Sequence, residues 1–92
     1  MIYTIKYTHQ FKKDLKLAKK QGKDLNALYE VIEALSDRIL LESSYRNHRL
    51  NGEFGNYYEC HIEPDWLLLY EISEEEAILS LVRTGSHSDL FR

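Results

Sequence analysis

The sequence predicts an α+β fold, with two helices on one face of a small, mainly antiparallel sheet in the order β-α-α-β-β-β. Three observations predict it. Apolar residues alternate in the manner of strands near both ends of the chain, over 1–7 and again from 54 onward. Between these lie two segments with helical spacing, only two residues apart. Clusters of Asn, Gly, Ser and Pro then cut the second half into short pieces. Ninety-two residues are expected to form one domain over 1–92, with no room for a second core.

The elements follow in order. Ile2, Thr4 and Lys6 alternate with Tyr3, Ile5 and Tyr7, which is a strand and not a signal peptide. Thr8 is placed to cap a helix over roughly residues 9–21. Phe11, Leu15 and Ala18 share one face of it, with Leu17 beside them, and lysines cover the remainder. Gly22 should end it, since glycine enters the left-handed conformation cheaply. Asp24 caps a second helix, in which Leu25, Leu28, Ile32, Leu35 and Ile39 form an apolar stripe. The short link predicts an antiparallel helical hairpin lying on the sheet. Residues 41–55 carry loop chemistry, including Asn47 and Asn51-Gly52. From Phe54 to Ile62 alternation returns. Tyr58, Cys60 and Ile62 should face the core, and Tyr57, Glu59, His61 and Glu63 a polar, open face. Pro64-Asp65 suits a tight turn. Trp66 to Ile72 is apolar on both faces, as in a central strand. Glu74-Glu75-Glu76 reads as a turn and Ala77 to Arg83 as the last strand. Gly85 breaks it, and 86–91 form a tail of about one helical turn.

Composition excludes several classes. Cys60 is the sole cysteine, so no disulfide framework exists, and a reducing, cytoplasmic setting fits. Its place on the core face makes it a small buried hydrophobe and not a nucleophile. No apolar run approaches the ~20 residues of a membrane span. Net charge is −3, which by itself argues against nucleic acid. Its distribution does not. All seven lysines lie between Lys6 and Lys23, with Asp14 the only acid among them, while the chain from Asp24 onward is strongly acidic. A positive face on an acidic protein and a merely solvated lysine helix both fit that asymmetry.

The apolar run Leu67–Tyr70 is flanked by His61 and Asp65 on one side and Arg83 and His87 on the other. If the last strands form a meander, these ends meet at one edge. RNA cleavage needs a base for the 2′-OH proton, an acid for the leaving 5′-oxygen and a cation for the phosphorane. Imidazole suits both proton transfers and guanidinium suits phosphoryl oxygens. Singly, each residue has a structural reading: a surface histidine, a turn aspartate, a solvated arginine, a core Trp66. His48, His61 and His87 match no standard metal-ligand spacing, so neither metal nor cofactor is expected.

Together the pieces are specific. His48-Arg49-Leu50-Asn51-Gly52, His61-Ile62-Glu63-Pro64-Asp65-Trp66, Arg83-Thr84-Gly85-Ser86-His87 and Leu90-Phe91 resemble the YafQ toxins of the RelE superfamily, over nearly the whole chain. The resemblance implies a type II toxin that cleaves messenger RNA in the A site of the translating ribosome, without a metal. It implies silencing by a DinJ- or RelB-like antitoxin, itself a dimer, with operator DNA bound only through that complex. The catalytic set it implies is His48, His61, Asp65, Arg83 and His87, led by His87. His61 and Asp65 would form the second acid–base element, His48 would support them, and Arg83 would stabilise the phosphate. Phe91 would meet the RNA, and Lys12, Lys13, Lys16, Lys19 and Lys20 would meet ribosomal RNA phosphates. The chain departs from such relatives in its acidic balance, and in Tyr58 and Gly55 where basic residues are common. Two other readings share the scaffold. One is a binding toxin such as the ParE gyrase inhibitors, which lack this histidine set. The other is a member that acts only through antitoxin and operator binding.

Overall fold

A computed structural model of the chain describes residues 2–50, 52 and 56–91. The elements are β1 (Thr4–Tyr7), α1 (His9–Lys20), α2 (Leu25–Ser36), a 3-10 turn (Ser43–Tyr45), β2 (His48–Arg49), β3 (Tyr58–Glu63), β4 (Trp66–Ser73), β5 (Ile78–Gly85) and α3 (His87–Leu90). They build one sheet in the order β1-β5-β4-β3-β2. β1 runs parallel to β5 and every other neighbouring pair is antiparallel. β4 is therefore the central strand, and Trp66 to Tyr70 are buried on both of its faces.

Both helices lie on one face of this sheet. Phe11 and Ala18 of α1 and Leu28, Val31, Ile32 and Leu35 of α2 pack with Cys60, Trp66, Leu68, Tyr70, Leu79 and Leu81. Cys60 is part of that core, and burial pushes its thiol up to about 12. The helix starts follow the expected capping. Thr8 accepts from Phe11 N–H at 3.0 Å, and Asp24 accepts from the N–H groups of Asn26 and Ala27. α1 ends with Gly22 at φ 73, where Gly22 N–H reaches Lys19 O and Lys23 N–H reaches Ala18 O. That is the glycine-closed terminus the sequence predicts.

Four expectations change. The second helix stops at Ser36, and Ile39 lies outside it, 58% exposed. Arg38 takes the left-handed position at φ 59, so that Arg38 N–H meets Leu35 O and Ile39 N–H meets Ala34 O. An arginine there carries no sequence signal of termination. The segment read as a loop over 41–55 contains β2, whose two residues are too few to show a period. The third strand begins at Tyr58, while Phe54, where it was expected to start, lies outside the described residues, as do Asn51 and Gly55. The last strand continues to Gly85, which pairs with Leu67. Gly85 does not break the strand. It lets α3 approach closely, since a Cβ there would stand 3.2 Å from Asp89 Cβ.

Candidate active site

Strand register assembles the site. His48 lies opposite Glu59, Glu59 opposite Leu69, and Leu69 opposite Arg83; on another rung His61 and Leu67 pair, with Gly85 beyond. Residues directly opposite share a face. His48, Glu59 and His61 thus stand on the face away from the helices, over Leu67 and Leu69. Two irregularities re-aim the ends. The register slips between His61 and Glu63 on β3 and again where Leu69 and Tyr70 pair with Arg83 and Leu81 on β5. Such bulges bend a strand and redirect the neighbouring side chain.

The face expected to be open is partly closed. Glu59 and His61 are only 5% and 9% exposed, because His48 from β2 and His87 from α3 flank them. His61 Nε2 lies 3.3 Å from Glu59 Oε1, and His61 Nδ1 lies 3.3 Å from Pro64 O. Both ring nitrogens face oxygen acceptors. An imidazolium donates to both, whereas a neutral ring donates to one. His48 Nε2 stands 3.6 Å from the same Glu59 oxygen, and its Nδ1 contacts Arg46 O at 2.7 Å. The segment before β2 is pinned by Tyr70, whose hydroxyl donates to Asn47 Oδ1 at 2.6 Å.

His87 is held differently. Asp65 Oδ1 accepts the His87 backbone N–H at 3.1 Å and Nδ1–H at 3.2 Å. These bonds hold the Asp65 carboxyl below the usual carboxylate range. With Nδ1–H committed, Nε2 carries the lone pair and can take a proton. A capping box fixes the short helix: Ser86 Oγ accepts from Asp89 N–H, and Asp89 Oδ2 accepts from Ser86 N–H. The His87 ring lies between His61, centroids 5.6 Å apart, and Phe91, 6.2 Å apart.

Arg83 is not among the imidazoles. Its Nε and Nη2 each donate at 3.0 Å to Asp14 of α1. Asp14 and Glu59 are the site residues that sequence reasoning missed. A signal existed for both: Phe11-Asp14-Ala18 puts an acid on the apolar face of α1, and Glu59 alternates with His61. Lys12, Lys13, Lys16, Lys19 and Lys20 are all exposed. The far end of α1 reaches the site, where Gln21 and Lys23 share a cleft with Pro64, Asp65, Ser86 and Ser88.

Glu59, His61 and His87 also offer metal-ligand atoms within 4.8 Å of one another. The 3.3 Å spacing of His61 Nε2 and Glu59 Oε1 suits two donors on one tetrahedral ion, at bond lengths of about 2.1 Å. The third donor would have to move inward.

Residues 3–92 match the family model described as a bacterial toxin of type II toxin-antitoxin system, YafQ. The chain is 40% identical over 88 residues to the mRNA interferase toxin YafQ of Escherichia coli K12, covering 95% of this chain and 94% of that one. Its structure is similar to the toxin in the E. coli DinJ-YafQ toxin-antitoxin complex, with TM-score 0.90, 36% identity and all of both chains covered. It is also similar to a metal-bound toxin from Helicobacter pylori, with TM-score 0.92, 45% identity, and 97% of this chain and 99% of that chain covered.

Proposed function

This chain belongs to the YafQ family of type II toxins, and we propose that it is an endoribonuclease that cleaves messenger RNA in the A site of the translating ribosome. The observation that carries the reading is His87: Nδ1 is tied to Asp65, Nε2 is open, and His61 lies beside it.

In this mechanism the 2′-OH attacks the adjacent phosphorus and the 5′-oxygen leaves. One group removes the 2′-OH proton and another protonates the leaving oxygen. His87 Nε2 is the leading group for exchange with substrate. Asp65 holds the ring and stabilises its charged form. The His61–Glu59 pair behind it supplies the second proton-transfer element, and His48 supports Glu59. Arg83 uses two of its five donors on Asp14 and keeps the rest for phosphate oxygens. The products are a 2′,3′-cyclic phosphate or 3′-phosphate and a 5′-hydroxyl. Phe91 offers a ring beside His87 for a base to stack on. The exposed lysines of α1 meet ribosomal RNA phosphates.

Side chains supply every role, so the reaction needs no metal. An ion bound by this chain would find its donors on Glu59, His61 and His87 and occupy nitrogens the proton transfers use, so added Cu²⁺ or Zn²⁺ should inhibit. The cognate partner is a DinJ-like dimeric antitoxin, and operator DNA is reached only through that complex. Among the described residues no helix is long and apolar enough to cross a membrane, which is consistent with a cytoplasmic toxin.

The test is cleavage of a defined messenger with and without programmed ribosomes, with EDTA titrated to the limit of ribosome integrity. The 5′-ends are mapped for wild type and His87→Ala. Expected are cuts at A-site codons only with ribosomes, insensitive to EDTA and lost in the variant. Growth arrest without cleavage under any condition would instead indicate a binding toxin of the ParE kind.

A further inference from the structure

We propose that Asp14 is a positioning residue, which aims the Arg83 guanidinium at the scissile phosphate and fixes the strand end that carries His87. The inference rests on the nuclease reading for its kinetic consequences and on geometry for the rest.

The sheet creates the need. β1 accompanies β5 only as far as Leu81, which pairs with Tyr7. Beyond it β5 runs on to Gly85 with β4 on one side and, among the described residues, no strand on the other. The start of α1 fills that edge. Thr8 N–H donates to Leu81 O at 3.1 Å, and Thr8 Oγ1 donates to Val82 O at 2.7 Å. Nearly two turns further along, Asp14 Oδ2 accepts Thr84 N–H at 3.2 Å. A carboxylate thus takes the place of the missing strand.

That carboxylate is 8% exposed and fully engaged. Oδ1 accepts from Gln10 Nε2 and Arg83 Nη2; Oδ2 accepts from Arg83 Nε and Thr84 N. The Arg83 contact uses the side edge of the guanidinium. Its Nη1 hydrogens and one on Nη2 remain, in the end-on geometry that grips two phosphate oxygens. The side chain is 31% exposed, so that edge is within reach of a ligand. Thr84 is anchored on its other side as well, its Oγ1 donating to Leu67 O at 2.7 Å. Gly85 then leaves no room for a side chain beside Asp89 of α3, and Ser86 caps the helix that begins at His87. Movement at 83–84 is passed directly to the imidazole.

The electrostatics separate aim from attraction. Asp14 offsets the charge of Arg83, so a site built only to attract phosphate would omit it. Removing the acid should leave RNA binding equal or tighter while the chemical step slows.

The variants are Asp14→Asn, Arg83→Gln and the double variant, assayed on programmed ribosomes well below each unfolding midpoint. In Asp14→Asn, kcat should fall roughly tenfold to a hundredfold, as misplaced catalytic groups do, with KM unchanged or lower. The double variant should lose clearly less than the product of the two single losses, because Asp14 acts in part through Arg83. A wild-type kcat in Asp14→Asn, or losses that multiply in the double variant, would overturn the proposal. NMR of the Arg83 Nε–H and the His87 ring reads the geometry without catalysis. Both signals should shift in Asp14→Asn; unmoved signals would overturn the assignment. A wild type that cleaves nothing would sink the nuclease reading, and the NMR arm would still decide whether Asp14 holds these groups.

Discussion

Replacing Asp65 by Asn tests how His87 works. Asn keeps the shape and an acceptor oxygen but removes the charge that faces imidazolium. The size of the loss follows from exposure. A buried carboxylate behind a catalytic imidazole is worth about 10⁴ in kcat, because it fixes the tautomer and stabilises the imidazolium. Here the His87 and Asp65 side chains are 54% and 70% exposed, so water screens the 3.2 Å contact. In water, opposite charges at that distance shift an equilibrium by only about tenfold. The neutral amide oxygen also holds Nδ1–H less firmly, so Asp65→Asn should lower kcat about ten- to a hundredfold. The pH dependence gives a second check. The folded Asp65 carboxyl titrates below its unfolded value, so its contribution to stability is complete above the ordinary carboxylate range and is lost as pH falls through the lowered value. Asp65 therefore stays ionised wherever imidazole titrates. It should add no limb of its own to the wild-type rate over the pH range assayed. Single-turnover cleavage on ribosomes from pH 5 to 9, for wild type and variant, measures both. A loss under twofold would show that His87 needs no carboxylate. A loss near 10⁴ would refute the screening argument, since the carboxylate would then act as strongly as a buried one.

Three further outcomes are expected. Ala77 turns the β4–β5 hairpin at φ 54, a left-handed position costing an L-residue roughly 1–2 kcal/mol; glycine returns about half of that as chain flexibility, so Ala77→Gly should raise Tm by about 2–6 °C in a thermal melt, and a fall would refute it. Cys60 is fully buried with a raised pKa, so a thiol reagent should label it only as fast as the protein unfolds, and rapid labelling at pH 8 would contradict its place in the core. Changing Lys16, Lys19 and Lys20 to Gln should reduce the slope of log affinity for ribosomes against log salt by about two to three, whereas Glu75 and Glu76 to Gln should leave that slope unchanged.

Much of this was legible in the sequence because the signals were local. Thr8, Gly22 and Asp24 announce helix ends by their own chemistry, and the alternation around Cys60 sorts its strand between two faces. The sites of failure share a cause, which is that a partner far along the chain decides the outcome. Glu59 and His61 alternate onto a face that looks solvated, yet His48 and His87 come from other elements to cover it. Arg38 closes a helix in a conformation usually left to glycine, while its guanidinium stacks on Tyr3 and pairs with Glu74. Asp14 is the clearest case. It reads as one acid in a lysine helix, and its role exists only because β5 outruns β1, a fact of strand order that periodicity does not contain. His61, Asp65 and His87 were grouped from the sequence because the β3–β4 turn and the end of β5 must meet in an antiparallel meander.

On the nuclease proposal, strand order also bears on how a chain of net charge −3 meets RNA. The turn that holds Asp65 and the turn that holds Glu74, Glu75 and Glu76 lie at opposite ends of β4. Eight strand residues separate them by about 25 Å at the usual rise. The Debye length at physiological salt is about 8 Å, so the glutamate turn lies about three screening lengths from the site. α1 runs the other way: its last turn carries Lys19 and Lys20, and Lys23 just beyond it lines the cleft with Asp65. The lysine end of α1 is thus nearer the imidazoles than the glutamate turn is, and it faces the acids of the site itself, Glu59, Glu63, Asp65 and Asp89. On the same helix Asp14 faces inward to Arg83 while the lysines face outward. On the nuclease proposal, a single helix therefore presents charge to RNA on one side and holds the strand end before His87 on the other.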